Sequence, residues 1–195
     1  KCSEMRWLIE NSPIKAPIAD FCCGLAHWTS RTLKPIDLGI DTFPNTGPYS
    51  RPVERFADDL EFIGDCYKAV LRADVTKPLP LPDETIETII SICAFEHIPF
   101  SEHSGLFENI VRILKPGGRI IFSVQLKRAF DTIKNYIKKE NVSEILKKCS
   151  INEVFDEKYW IKCTKNAGLK IVNKSGAIDR KLSIAFAMGI SSNGL

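Results

Sequence analysis

Residues 18–29 read IADFCCGLAHWT. Ile18 to Phe21 suit a buried strand, and they run into a small-residue turn at Gly24 and then a segment of helical character. A strand, a tight turn and a helix in that order are where an open α/β sheet holds a nucleotide-type ligand, because the turn must let the ligand approach bare backbone. A dinucleotide fingerprint, G-x-G-x-x-G, laid on this stretch falls on Cys22, Gly24 and His27, so one of its three glycines is present. A pyrophosphate would meet two obstructing side chains, and the pattern argues against a nicotinamide cofactor.

Outward from that stretch the chain alternates strand-like and helix-like segments, which predicts an α/β fold: a Rossmann-like, doubly wound, mostly parallel sheet of seven strands. Strands are expected at Ile14 to Phe21, Ile36 to Ile40, Ala69 to Asp74, Ile86 to Phe95, Arg119 to Val124, Leu169 to Lys174 and Leu182 to Met188. The run from Ile86 reads as a buried strand rich in β-branched residues, as suits a central parallel strand. From His103 to Leu114 the residues Leu106, Phe107, Ile110, Val111, Ile113 and Leu114 fall on one helical face, and Pro116 with two glycines stops the helix. Further helices are expected at 2–11, 26–33, 55–62, 127–148 and 152–166. The last two strands are joined by the short turn SGAIDR, so they must be an antiparallel C-terminal hairpin. A parallel sheet closed by such a hairpin is not the pattern of a nicotinamide-binding domain. Residues 43–52 (FPNTGPYSRP) hold three prolines and a glycine and form a loop long enough to be a candidate for function.

Size and composition bound the rest. At 195 residues, with 44% hydrophobic and 26% charged side chains, the chain is expected to form a single domain over 1–195, with 1–13 as an N-terminal helix or cap and 127–150 as a helical insert. It starts at Lys1 rather than Met, which suggests that an upstream piece is missing. No apolar run approaches the roughly 20 residues that span a bilayer, and residues 1–12 lack the apolar core of a signal peptide. Seven cysteines without a C-x-x-C pair suggest reduced thiols in a cytoplasmic protein, with no disulfide framework and no metal site. The net charge is +3, but residues 1–114 carry 11 basic and 17 acidic side chains and residues 115–174 carry 14 and 6. A Lys-rich second half is first of all a solvated helical face, and beyond that it would attract an anionic ligand; it is too sparse for a nucleic-acid footprint.

IADFCCGLAHWT resembles the first motif of class I S-adenosylmethionine-dependent methyltransferases, acid-x-Gly-x-Gly-x-Gly, with Asp20 as the acid, Gly24 as the middle glycine, and Cys22 and Ala26 in place of the outer two. IDLGIDTF is similar to the second strand of that family, ending in Asp41, 21 residues after Asp20. LRADVTKPLPLPDETIETIISICAFEHIP is similar to the stretch that carries an Asp after strand three (Asp74), a Leu-Pro-x-Pro-Asp connection and Glu-His after strand four (Glu96, His97). LFENIVRILKPGGRIIFSV and YWIKCTKNAGLKIV resemble the helix, Lys-Pro-Gly-Gly turn and strand that follow, and the late helix and sixth strand. The resemblance covers about residues 14–189, and its Glu-His pair points to the small-molecule branch of the family.

That resemblance implies S-adenosylmethionine as cofactor and a small-molecule, lipid or sugar-type acceptor of anionic or amphipathic character. Asp41, with Thr42 beside it, would hold the ribose, since a carboxylate can accept from both hydroxyls of a diol. Asp74 would meet the adenine amino group, with Val75 supplying backbone donors. Cys22, Cys23 and Gly24 would line the amino-acid end, with Asp20 ordering the loop or receiving the ammonium group through water. Cys93 and Ala94 would form the pocket floor. His97 is the candidate catalytic residue, needed as a base only where the acceptor loses a proton; His27 is a second candidate, while His103 reads as a residue near a helix start and Glu96 as structural or as a partner for the positive end of the cofactor. The contrasting reading is a non-catalytic Rossmann-like binding or regulatory module with a degenerate cofactor loop. The sequence leaves the acceptor and the oligomeric state open.

Overall fold

A computed structural model describes residues 10–24, 33, 36–43, 65–125, 156–176 and 183–190, the side chains at 125, 174–176 and 183–190 excepted. The expected helices at 26–33, 55–62 and 127–148, most of the loop at 43–52, the turn at 177–182 and most of helix 2–11 lie outside the described residues.

Among the described residues seven strands form one sheet: β1 (Ile18–Phe21), β2 (Ile36–Asp41), β3 (Tyr67–Arg72), β4 (Ile86–Ile92), β5 (Leu114–Gln125), β6 (Leu169–Gly176) and β7 (Ser183–Ile190). Their spatial order is β3-β2-β1-β4-β5-β7-β6. The first five are parallel, and β7 lies antiparallel between β5 and β6. The chain begins at the centre, builds to one side, then returns to build on the other, so the crevice where strand order reverses lies between β1 and β4.

Alternation along the strands sends side chains to two apolar layers. Ala19 and Phe21 of β1, Ile89 of β4, and Ile120, Phe122 and Val124 of β5 pack in one layer beneath two helices, α1 (His103–Ile113) and α2 (Glu157–Asn166). The intervening residues Ile18, Ile90 and Ile121 pack in the other with Ile36 and Tyr67. In α1 the 3.6-residue repeat buries Leu106, Phe107, Ile110 and Ile113, each contributing roughly 1.5–3 kcal/mol by leaving water. In α2 Trp160 and Thr164 are fully buried, and Trp160 meets Phe122 edge-on at 6.0 Å. The helix starts where the Asp156 side chain accepts the Tyr159 N–H at 2.9 Å and stops at Gly168, whose φ of 78° suits a residue without Cβ.

Several boundaries differ from the sequence expectation: β4 ends at Ile92 rather than Phe95, α2 starts at Glu157 rather than Asn152, and three more have a visible cause. β1 starts at Ile18 rather than Ile14, because Pro17 has no N–H for a ladder and its carbonyl instead accepts from Glu87 and Thr88. β3 ends at Arg72, since Ala73 and Asp74 turn toward the end of β2, where the Ala73 N–H donates to the Asp41 carbonyl. β5 begins at Leu114, but its pairing with β4 jumps from Ile86↔Leu114 to Thr88↔Arg119, so Lys115 to Gly118 bulge out of the ladder. A Cβ at Gly118 would sit 2.8 Å from the Lys115 carbonyl and 3.1 Å from that of Glu87, which is why a glycine stands there.

Candidate functional site

The carboxyl ends of β1, β2 and β4 meet at the crevice, and each is followed by a non-glycine residue in the left-handed region: Cys22 (φ 57°), Phe43 (φ 45°) and Cys93 (φ 50°). Such a conformation costs on the order of 1–3 kcal/mol per residue and persists where its surroundings over-determine it, most often at functional sites. Cys22 takes the backbone conformation that a glycine would adopt freely, so the loop keeps its shape without the first motif glycine. Ala26 and His27 lie outside the described residues.

Asp41 fixes that shape. Its Oδ2 accepts the Gly24 N–H at 2.9 Å and its Oδ1 accepts the Phe43 N–H at 2.8 Å, with the Thr42 hydroxyl 3.5 Å from Oδ1. A carboxylate has about four lone-pair sites, so each oxygen keeps acceptor capacity for a ligand hydroxyl. Arg72, at the end of β3, donates to the carbonyls of Thr42 (3.1 Å) and Phe43 (3.4 Å) and holds the far side of the turn.

Asp20 is buried and faces the second apolar layer, where its Oδ2 accepts the Tyr67 hydroxyl at 2.6 Å. Tyr67 is on the edge strand β3 and must cross β2 to reach β1. It does so over Gly39, the residue paired with Asp20, where an added Cβ would stand 3.1 Å from the ring and 3.1 Å from Cys23 Sγ. Asp20 therefore acts on the loop through the strand beneath it, and Tyr67 and Gly39 are site-building residues that the sequence reading did not single out.

Burial raises the Cys22 thiol well above its ordinary value, and the charges of Asp41, Asp20, Asp74 and Glu96 raise it further. Cys23 is raised for the same first reason, with Asp20 and Asp41 adding to it. Both thiols are neutral near pH 7 and so are poor nucleophiles and metal ligands. Four carboxylates from the ends of β1, β2, β3 and β4 thus share one neighbourhood around Cys22, a field that favours a cation. Among the described residues no group of three or more His, Cys, Asp or Glu could hold a metal ion.

After β3, Asp74 Oδ1 accepts the Thr76 N–H at 2.9 Å, and the Thr76 hydroxyl lies 2.7 Å from the same oxygen. Val75 is buried, and its carbonyl accepts from Asn109 Nδ2 at 2.9 Å. Asn109 also donates to the Lys77 carbonyl at 2.6 Å and accepts the Leu79 N–H at 3.3 Å, while Arg112 donates to the carbonyls of Leu79 and Leu81. The Leu-Pro-x-Pro-Asp connection is thereby stitched to α1. Its signal in the sequence was Asn109, a polar residue inside an apolar helical stripe.

After β4, the Cys93 N–H donates to the Ser123 carbonyl at 2.9 Å, and Ala94 is half-buried. Phe95–His97 form one 3-10 turn, in which Glu96 is buried and the His97 N–H donates to the Ala94 carbonyl at 3.0 Å. Glu96 thus reaches the carboxylate set, while half-buried His97 lies beside it in the same turn. His103 stands buried at the head of α1, with Nε2 3.0 Å from the Ile98 carbonyl and Nδ1 2.6 Å from the Tyr159 hydroxyl. A carbonyl only accepts, so Nε2 carries the hydrogen and, in the neutral ring, Nδ1 accepts from the tyrosine. This histidine braces the loop after β4 against α2.

Residues 41–122 match the methyltransferase domain family. Solved structures of methyltransferases resemble nearly the whole chain. A SAM-dependent methyltransferase from Methanosarcina mazei superposes with a TM-score of 0.65 at 16% identity, covering 94% of this chain and 97% of that one. One from Aquifex aeolicus gives 0.62 at 17%, covering 94% and 88%. The fold is that of the S-adenosylmethionine-dependent methyltransferases. Geranyl diphosphate C-methyltransferase from Streptomyces coelicolor A3(2), solved with Mg²⁺, geranyl diphosphate and S-adenosylhomocysteine, has the same methyltransferase fold, with a TM-score of 0.63 at 12% identity over 94% of this chain and 78% of that one. No curated protein sequence matches the chain. The family match opens at Asp41, so the strand and turn that carry Asp20 to Gly24 precede it. No helix among the described residues is long and apolar enough to cross a membrane.

Proposed function

We propose that this chain is a class I methyltransferase of the small-molecule branch. In this reading residues 1–195 are one domain that transfers the methyl group of S-adenosylmethionine to a small-molecule, lipid or sugar-type acceptor. The observation that carries the reading is the placement of Asp20, Asp41, Asp74 and Glu96 at the carboxyl ends of the neighbouring strands β1, β2, β3 and β4, with Asp41 gripping the Gly24 turn. Asp41 holds the ribose diol on the acceptor sites left beside Gly24 and Phe43. Asp74 takes the adenine amino group, with Val75 beside it. Cys22, Cys23 and Gly24 border the amino-acid end, Thr42 the rim, and Cys93 and Ala94 the floor.

The cofactor supplies an activated methyl group on a sulfonium, which is already a good leaving group. The chain's residues then have to align and desolvate: the left-handed turns at Cys22 and Cys93 bring backbone close, and the neutral thiols add no charge. Glu96 faces the positive end. His97 removes a proton where the acceptor has one to lose. An anionic or amphipathic acceptor suits the Lys-rich residues 115–174, and the same fold in Streptomyces is seen with geranyl diphosphate, a molecule of that description. The free thiols at Cys22, Cys23, Cys66, Cys93 and Cys163 suit a reducing, cytoplasmic setting.

Titration calorimetry with S-adenosylmethionine and S-adenosylhomocysteine tests the reading. Micromolar-range binding that Asp41→Ala greatly weakens is expected. Absence of heat with both ligands would leave a non-catalytic binding module, and heat with NAD(H) instead would indicate an oxidoreductase.

A further inference from the structure

We propose that Thr76 is a positioning residue that couples the adenine side of the site to the loop after β4. The proposal rests on the cofactor reading above. The Thr76 hydroxyl has two carboxylates in reach, Asp74 Oδ1 at 2.7 Å and Glu102 Oε2 at 2.9 Å. It carries one hydrogen, and an ionised carboxylate only accepts, so it can satisfy one of them at a time. Asp74 has a second donor in the Thr76 N–H, and Glu102 has one in Lys77, whose Nζ is 3.2 Å from Oε1. Neither carboxylate depends on the hydroxyl alone, and the two orientations of the hydrogen stay close in energy.

The surroundings leave little freedom except that rotation. Thr76 is buried, its carbonyl occupies the space a Cβ on Gly105 would take, and Asn109 ties the carbonyls on either side of it to α1. Glu102 closes the second 3-10 turn, Phe100–Glu102, and so ends the loop that carries Glu96 and His97. When an adenine amino group donates to Asp74, that carboxylate needs the hydroxyl less and the hydrogen turns to Glu102. The bond between the β3 loop and the β4 loop then strengthens, and the segment bearing Glu96 and His97 tightens as the cofactor arrives. A coupling of this kind requires a differential contact in the two states, and the shared hydrogen supplies it.

Hydrogen exchange of the amides of residue 98 and residues 100–103, with and without saturating S-adenosylhomocysteine, reads the coupling. In the wild type and in Thr76→Ser, ligand slows exchange by about tenfold, the factor for one hydrogen bond to a charged group. In Thr76→Val and Glu102→Ala, which removes the acceptor altogether, the ligand still binds, by calorimetry, and the slowing is lost. Ligand-induced slowing that persists in either variant overturns the proposal while leaving the cofactor reading intact. Failure of the wild type to bind S-adenosylhomocysteine overturns both, and calorimetry alone reveals it. Glu102 is half-buried rather than in the core, so Glu102→Ala keeps the test open if Thr76→Val folds poorly.

Discussion

Replacing Asp41 by Asn separates two roles that the geometry superimposes on one side chain. Its two oxygens each accept a backbone N–H, from Gly24 at 2.9 Å and from Phe43 at 2.8 Å. A carboxamide has one acceptor oxygen, so in either orientation one of these N–H groups faces an NH₂. Leaving a partly buried donor unsatisfied costs about 2 kcal/mol, which lowers Tm by about 4–8 °C in a chain of this size. If Asp41 also holds a ribose diol, the variant loses one or both charge-assisted bonds to the ligand. At about 3 kcal/mol in total, that is a roughly hundredfold weaker Kd.

Thermal melting with and without S-adenosylhomocysteine reads both effects. At a ligand concentration of 100 times the wild-type Kd, the wild type gains about 2.7 kcal/mol, or about 5–10 °C. The same concentration equals one Kd for the variant and adds only about 0.4 kcal/mol, or about 1–2 °C. Asp37→Asn is the control, because Asp37 lies on the same strand near its other end and accepts the Ile18 N–H at 2.8 Å. It should lose stability and keep the ligand-induced shift. An Asp41→Asn protein that melts lower but keeps the full shift would refute the ribose assignment and leave Asp41 as a clamp for the loop.

Gly105→Ala tests packing against propensity: an exposed helix would gain up to about 1 kcal/mol from the change, but the new Cβ would lie 2.2 Å from the Thr76 carbonyl. The expected net is a loss of about 1–3 kcal/mol in urea denaturation. The raised thiols of Cys22 and Cys23 keep their protons in the folded state where the unfolded chain loses them. Stability is therefore full below the ordinary value of 9.0 and falls above it, by at most about 1.4 kcal/mol per pH unit for each thiol; denaturation at pH 8 to 10 should show this slope, and the double Cys→Ala variant should lose it. Burial pushes the Asp37 carboxyl up, but its bonds from Lys68 and the Ile18 N–H and the Lys68 charge outweigh that and hold it below 3.8. Its contribution is present above that ordinary value and disappears as pH falls through the lower folded value, so Asp37→Asn should flatten the acid limb of the stability curve.

The sequence was most legible where one residue pattern had one physical solution. The run from Ile86, rich in β-branched residues, reads as a strand buried on both faces, and Ile86–Ile92 is β4. The stripe Leu106, Phe107, Ile110, Ile113 could only be the buried face of a helix, and it is α1. The acids at 20, 41, 74 and 96 were legible through spacing and resemblance, and all four stand at or just beyond the carboxyl ends of β1 to β4. Illegible were contacts whose partners are far apart in the chain. Nothing local announces that Tyr67, on an edge strand, crosses Gly39 to reach Asp20, because the glycine and the tyrosine each have an ordinary reading alone. The left-handed turn at Cys22 is likewise set by its surroundings, with Asp41 gripping Gly24 and the Cys23 N–H reaching the Ile40 carbonyl at 3.1 Å.

That turn bears on which ligand the crevice accepts. A glycine-rich loop serves a phosphate by presenting bare N–H groups to an anion. Here the Gly24 N–H is already directed at a carboxylate of the chain itself, and three more carboxylates act on the adjoining thiol. A pyrophosphate would have to displace Asp41 and settle among like charges, which costs several kcal/mol. A ligand with a cationic centre, such as the cofactor proposed above, meets the opposite sign here. Cys22 is tolerable there for the same reason that a lysine or an ionised thiol would not be: it is small, and the carboxylates around it keep it neutral. The loss of the first motif glycine is therefore compatible with a cation-binding loop, provided that the substituent is compact and Asp41 remains to hold the turn.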